Sequence, residues 1–247
     1  MYWFLLRPKW IGFHLLVIFG VVLMIWLGFW QLDRLDQRKA FNEAVVERSD
    51  EPPVSLTDLL SEPDFDPATA EWRRVTVEGT WLPGQVIVFN RTQNGQPGDN
   101  IVTPLLLDGH DGQDSLTVLI NRGFVPVGVD DPGPPEIGVE VLARVRPSQE
   151  RQRGGLTDAT DGPVTEIRRV DIPQLALQMD GNVAPVYLDL IASIPEAGPS
   201  APIPVPAPTV DDGPHLSYAM QWFIFALAVM VGWTLAVRRS IATRRAS

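Results

Sequence analysis

The chain has 247 residues, with 20 Lys and Arg against 30 Asp and Glu for a formal charge of −10, and it contains no cysteine. Without a thiol there is no disulfide framework, zinc–thiolate site, iron–sulfur cluster, covalent c-type haem attachment, cysteine nucleophile or thiol-based copper carrier. The three histidines, His14, His110 and His215, are so scattered that a three-histidine metal site would need all of them at once.

Residues 1–9 carry Arg7 and Lys9 with no acid. Residues 10–32, WIGFHLLVIFGVVLMIWLGFWQL, are 23 consecutive uncharged residues. As a helix that run measures about 35 Å against a hydrocarbon core of about 30 Å, so it predicts a transmembrane helix. It exceeds the apolar core of a signal peptide and lacks a small-x-small cleavage site before Asp33, which predicts an uncleaved anchor. Gly12, Gly20 and Gly28 recur every eight residues and predict a face for close helix approach, either to a second span or to a membrane partner. The following DRLDQRKAFNEAVVERS is amphipathic, so the helix is expected to continue beyond the membrane and stop near Ser49, before Pro52 and Pro53.

From Arg73 the apolar period changes to alternation in RRVTVEGTW, QVIVFN, NIVTPLLL, SLTVLINRGFVPV and VEVLARVRP, which read as strands. Turn chemistry separates them at Pro83-Gly84, at residues 93–98 and in the turn DGHDGQD that holds His110, to which no role is assigned. Asp171-Ile172-Pro173 before QLALQM predicts an N-capped short helix, and APVYLDLIA another strand. The economical packing is an antiparallel sheet or small open barrel. Residues 195–214 are proline-rich and predict an extended, semi-rigid tether back to the membrane.

Residues 215–237, HLSYAMQWFIFALAVMVGWTLAV, form a second uncharged run of 23, and the last ten residues, 238–247, hold four arginines and no acid. By the positive-inside bias both tails are cytoplasmic and residues 33–194 form an extracytoplasmic domain. The fold class is thus an α+β membrane protein in which two transmembrane helices flank a predominantly antiparallel β domain outside a bacterial-type plasma membrane. All 30 acids and 14 bases lie between the spans, a formal charge of −16 that argues against nucleic acid and suits a basic protein partner.

On the second helix His215, Tyr218 and Trp222 fall on one face beside Ala219, which could seat a flat aromatic macrocycle with the imidazole on its iron. The alternative reading of the same residues is an interfacial aromatic belt. His14, near the inner end of the first span, lies on the order of 25 Å from His215 and cannot share a ligand with it. Arg122, at a strand end, reads as an ion-paired residue rather than an anion site. No Ser-His-Asp set, carboxylate pair or glycine-rich phosphate loop stands out, so an enzyme is not expected.

Five fragments in order, LGFWQLDRLDQRKA, WRRVTVEGTW, NGQPGDNIVTPLLL, VLINRGFVP and HLSYAMQWFIFALA, together resemble the surfeit locus protein 1 family of cytochrome c oxidase assembly factors. The resemblance covers nearly the whole chain, although Phe124 follows Arg122-Gly123 where tryptophan is frequent in the family, and the proline-rich stretch is long. It implies a non-enzymatic role in inserting haem a into the oxidase catalytic subunit. It also implies transient haem a binding, with His215 as iron ligand and Tyr218 and Trp222 in the matching HLxYAxxW pattern. The partners implied are cytochrome c oxidase subunits, the respiratory supercomplex and membrane lipid. The alternative function is a stably bound accessory subunit of the oxidase or supercomplex. An extracytoplasmic sensor would need a separate output protein, because ten residues follow Val237.

Overall fold

The computed structural model describes residues 3–109, 115–134, 138–149 and 164–246, so the turn holding His110 lies outside the described residues. It divides into two compact units, Met1–Ala44 with Thr209–Ser247 and Val45–Pro208.

The first unit is a pair of helices. After a short 3-10 turn at Trp3–Leu6, α1 runs Pro8–Asp50, continuing past the apolar run and stopping before the two prolines as the pattern predicts. The last helix, α4, runs His215–Ala246. Both hold apolar windows long enough to cross a membrane, with mean hydropathy 2.4 and 1.8. The sheltered positions on α4 include His215, Ala219, Trp222, Ala226, Val229 and Trp233; those on α1 include His14, Val17, Val21, Met24, Gly28, Gln31 and Leu35. Spacings of three and four along each helix make a coiled-coil-like seam. Ala219 and Ala226 are fully buried there, while Leu15, Phe19, Val22, Trp26, Ile224 and Leu227 point outward and stay exposed. Gly28 packs against the Phe223 ring, where a Cβ would sit 2.6 Å from Cε1; Gly12 and Gly20 face open space. Only one of the three glycines therefore serves the packing of the two helices.

The second unit is β-rich. Its elements are β1 (Val54–Ser55), α2 (Leu56–Leu60), β2 (Arg74–Trp81), β3 (Val86–Gln93), β4 (Gln96–Leu107), β5 (Leu116–Pro126), β6 (Gly138–Pro147), β7 (Glu166–Ile167), α3 (Ile172–Ala176) and β8 (Asn182–Ile194). Every strand read from the alternation is present; the short β1, α2 and β7 carry too few residues to show a period. α3 starts as expected, with the Asp171 carboxylate accepting from the Gln174 backbone N–H at 3.3 Å.

Two expectations are corrected. The turn between β3 and β4 occupies only Asn94 and Gly95, both at positive φ, so Gln96, Pro97 and Gly98 belong to β4. An Asn-Gly pair closes a two-residue hairpin alone, and the prolyl residue pairs within it. The sheet also closes: β2, β6, β8, β5 and β4 pair in a ring, sealed by β2 against β4, with β1 added to β2, and β3 then β7 added to β4. Four of the five joints are antiparallel and β5–β8 is parallel, so the barrel is closed rather than open.

Inside the barrel Val75, Val118, Ile120, Val141 and Leu188 pack with Leu56 and Leu105. A second core beneath β7 and α3 gathers Val86, Val88, Leu119, Ile167, Leu175 and Tyr187. Val118 and Ile120 feed one core while Leu119 feeds the other, so β5 is buried on both faces.

The proline-rich stretch is also corrected, since it is docked rather than free as far as Val205. Ile203 forms an isolated antiparallel bridge with Phe124, its N–H donating to Phe124 at 2.8 Å and its carbonyl accepting from Phe124 at 2.7 Å. Arg144 Nη2 donates to the Val205 carbonyl and Gln93 to the Pro204 carbonyl at 3.3 Å. Seven prolines forbid a ladder, but Ile203 has an N–H to spend and Gly123 has no side chain in its way.

Candidate functional site

His215 is the first residue of α4. Pro214 stands before it, its carbonyl accepting from the Tyr218 N–H at 3.1 Å and from the Ser217 hydroxyl at 2.7 Å. Proline cannot continue a helix backwards, so the imidazole is placed at the start of the apolar run.

The loop leading into it is tied to α1. Arg38 donates to the carbonyls of Asp211 at 2.9 Å and Thr209 at 3.0 Å, and Asn42 donates to the Asp211 carbonyl at 2.9 Å. The Gly213 N–H closes the turn on the Asp211 carboxylate at 2.9 Å. Gln31, Leu35, Arg38 and Asn42 lie on one stripe of α1 at spacings of four, three and four, so one helix face supplies the anchors.

The ring of His215 meets that stripe. Its Nδ1 lies 3.0 Å from the Gln31 side-chain oxygen. On the other edge a Cβ at Gly213 would lie 3.5 Å from Nε2 and 3.4 Å from Cδ2, and Gly213 sits at φ +63°. Nε2 thus faces a space that glycine leaves unfilled. An imidazole nitrogen beside such a space is of a type that can ligate a haem iron.

Of the residues predicted with His215, Trp222 is half-buried in the seam, edge-on to Phe225 at 6.1 Å, whereas Tyr218 lies nearly half exposed and its hydroxyl makes no hydrogen bond among the described residues. The structure therefore separates the two: Trp222 serves the helix contact and Tyr218 stands beside it. His14 is taken by Trp233, whose indole N–H donates to its Nδ1 at 2.9 Å. It is a packing histidine at the opposite end of the helix pair. Gln31, Arg38 and Asn42 were not singled out from sequence, yet Gln31 is the one amide in the 10–32 run, a residue type that crosslinks apolar helices.

The β-rich unit has a polar centre of its own. A cleft of about 450 Å³ is lined in part by Trp72, Asn121, Arg146, Gln149, Tyr187 and Asp189. Asp189 interrupts the apolar run of β8; its carboxylate accepts from Asn121 at 2.8 Å and lies 3.7 Å from Arg146. Arg146 also stacks over Trp72, 3.9 Å from the ring centre, and Trp72 holds φ +76°. Burial raises the Asp189 pKa against the pull of Arg146, and it lowers that of Arg144. The Tyr187 phenol is pushed up to about 12 by burial and by Asp189, and accepts from Gln149 at 2.8 Å. The Asp189 carboxylate and the Arg146 guanidinium thus answer one another within this cleft. Among the described residues no group of three His, Asp or Glu could hold a metal.

Arg122 is ion-paired as the sequence suggests, but it lies within β5 and is buried rather than standing at a strand end. It is the extra residue of a β-bulge opposite Ile101 and Val102, which turns its side chain onto Asp131 in a bidentate pair at 2.8 and 3.2 Å, both groups buried.

A helix pair with one oriented histidine, in a chain whose intervening segment folds as a closed five-stranded barrel, is the class of protein these features define. A family profile, described as the SURF1 family, matches residues 18–227. The chain is 32% identical to an uncharacterised SURF1-like protein of Mycobacterium tuberculosis and to one of Mycobacterium bovis, over 98% of this chain and 88% of theirs. It is 23% identical to a SURF1-like protein of Rickettsia bellii over 93% of this chain and 92% of that one. The chain belongs to the SURF1 family, the surfeit locus protein 1 family that its five fragments resemble.

Proposed function

We propose that this chain is a non-enzymatic assembly factor for a haem–copper cytochrome c oxidase, holding haem a as cargo while it is inserted into the catalytic subunit. Family membership gives the direction, since the SURF1 family is generally linked to oxidase assembly. The observation that carries the reading is His215, held at the end of an apolar helix pair with its Nε2 facing the space beside Gly213. In this reading His215 ligates the iron and the exposed ring of Tyr218 meets the macrocycle, while Trp222 holds the helix contact beside them. Bound haem a supplies the porphyrin iron that the oxidase needs; the residues here bind and orient it.

The reading places α1 and α4 across a plasma membrane, both tails in the cytoplasm and the barrel outside. Helices apolar on all faces need a membrane or a protein around them, and the arginines at 238, 239, 244 and 245 favour the inner side. Partners are then the oxidase subunits and lipid.

The test is the reduced-minus-oxidised optical spectrum of membranes from a strain lacking this chain, normalised to the amount of catalytic subunit. Loss of the haem a signal per subunit, repeated in His215→Ala, is the expected result. An unchanged ratio with weakened supercomplexes would instead make the chain an accessory subunit.

A further inference from the structure

We infer that Gln31 is the positioning residue of the His215 site: by accepting the Nδ1 proton it fixes the imidazole tautomer that leaves Nε2 as the metal-binding nitrogen. The inference rests on the reading of His215 as a haem ligand and deepens it.

The Gln31 side-chain oxygen has no proton to give. At 3.0 Å from Nδ1, the proton between the two atoms belongs to the ring. A neutral imidazole carries one proton, so Nε2 then keeps its lone pair. Free histidine favours the opposite tautomer, with the proton on Nε2, where it would block ligation. Gln31 therefore spends one hydrogen bond to reverse that preference before any iron arrives. Metal-binding histidines commonly show this division of labour, one nitrogen held by an acceptor and the other on the metal.

The rest of the site keeps the ring from escaping the bond. Arg38 and Asn42 pin the loop ahead of Pro214 to the same helix stripe that carries Gln31. Gly213 borders the other edge of the ring without filling the space at Nε2. Carboxylates near the site are engaged elsewhere: Asp211 takes the Gly213 N–H and faces Arg38 at 3.7 Å, and Asp212 accepts from Asn42 at 3.3 Å. Among the described residues, Gln31 alone meets Nδ1.

The contact with His215 is the one hydrogen bond of the Gln31 side-chain amide among the described residues. Were the amide nitrogen turned to Nδ1 instead, the ring proton would move to Nε2 and ligation would be opposed. Glutamate removes this choice, because it can only accept.

The experiment uses the full chain in detergent, labelled with ¹⁵N-histidine, at about pH 9, where imidazoles are neutral. The His215 resonances are assigned by their loss in His215→Ala. Expected for the apo protein is a protonated Nδ1 and a bare Nε2. In Gln31→Leu the proton moves to Nε2, and affinity for added haemin falls about 10–100-fold. Gln31→Glu keeps the proton on Nδ1 and keeps haemin bound, which a purely structural role for the amide does not predict.

A wild-type protein protonated on Nε2 overturns the inference, as does Gln31→Leu with an unmoved proton. Gln31→Leu that holds haemin as tightly as wild type, in a protein that loses haemin on His215→Ala, overturns it and spares the ligand reading. His215→Ala that binds haemin like wild type overturns the ligand reading itself. Should Gln31→Leu fail to fold, the wild-type tautomer and Gln31→Glu still decide.

Discussion

Replacing Gly123 by alanine should release the proline-rich stretch from the barrel while leaving the barrel folded. Gly123 sits at φ +131°, where an L-residue costs about 1–3 kcal/mol. A Cβ there would lie 2.2 Å from the Ile203 carbonyl oxygen and 2.9 Å from the Pro204 nitrogen, both backbone atoms with no rotamer to yield. The cheaper escape is for residues 203–205 to leave. They would give up two backbone hydrogen bonds with Phe124, worth about 2 kcal/mol together, and the contacts from Arg144 and Gln93. Hydrogen exchange reads this directly, since proline has no N–H and the Ile203 amide is the reporter. Closing of that contact weakened by about 3 kcal/mol lowers its protection by roughly a hundredfold, while amides of β5 and β8 keep theirs. Wild-type protection at Ile203 in Gly123→Ala would refute the docking, and so would loss of protection throughout the barrel, which would mean the segment and barrel open as one.

Asp131→Ala should destabilise the β-rich unit by about 3–5 kcal/mol, because it strands the buried Arg122 guanidinium; the Arg122→Met/Asp131→Leu double variant should recover most of that. Denaturation followed by the β-sheet circular dichroism signal checks it, and a loss below about 1 kcal/mol would contradict a buried pair. Asp189 supplies a pH dependence. Its folded pKa is raised, so the unfolded chain releases the proton first as pH rises. The contribution of Asp189 is then fully present below about pH 4 and is lost as pH climbs through the raised value. Acidifying through that window should move the stability difference between wild type and Asp189→Asn in favour of wild type. Denaturant midpoints diverging the other way would contradict burial as the dominant cause.

The strands were legible because alternation survives wherever one face of a strand meets a core. β2 and β6 show it plainly, with Val75 and Val77, then Val139 and Val141, directed inward. β5 shows why closure was not legible: it is buried along nearly its whole length, polar Thr117, Asn121 and Arg122 included, and the strand's own sequence does not say what covers its two faces. The parallel β5–β8 joint and the β2–β4 seal are long-range choices that no local pattern encodes. The proline-rich stretch misled for a related reason. Its composition reports that it has no core of its own, but a single paired residue, Ile203, is enough to attach it.

At the His215 site the ligand was legible and its partner was not, because Gln31 precedes His215 by 184 residues and meets it only through the register of two helices. That register is itself specified by polar pairs. His14 and Gln31 are 17 residues apart on α1; their partners Trp233 and His215 are 18 apart on α4. At 1.5 Å per residue both spacings come to about 26 Å, so two antiparallel helices satisfy both pairs at once. Between them the seam is apolar, with Gly28 against Phe223 as its tightest point. Apolar side chains tolerate sliding, whereas a slip of one turn, about 5.4 Å, breaks both hydrogen bonds and drives Phe223 off its glycine. The polar pairs at the two ends thus choose the one alignment that the apolar seam alone would leave open, and the alignment that seats Trp233 on His14 is the same one that brings Gln31 to Nδ1 of His215.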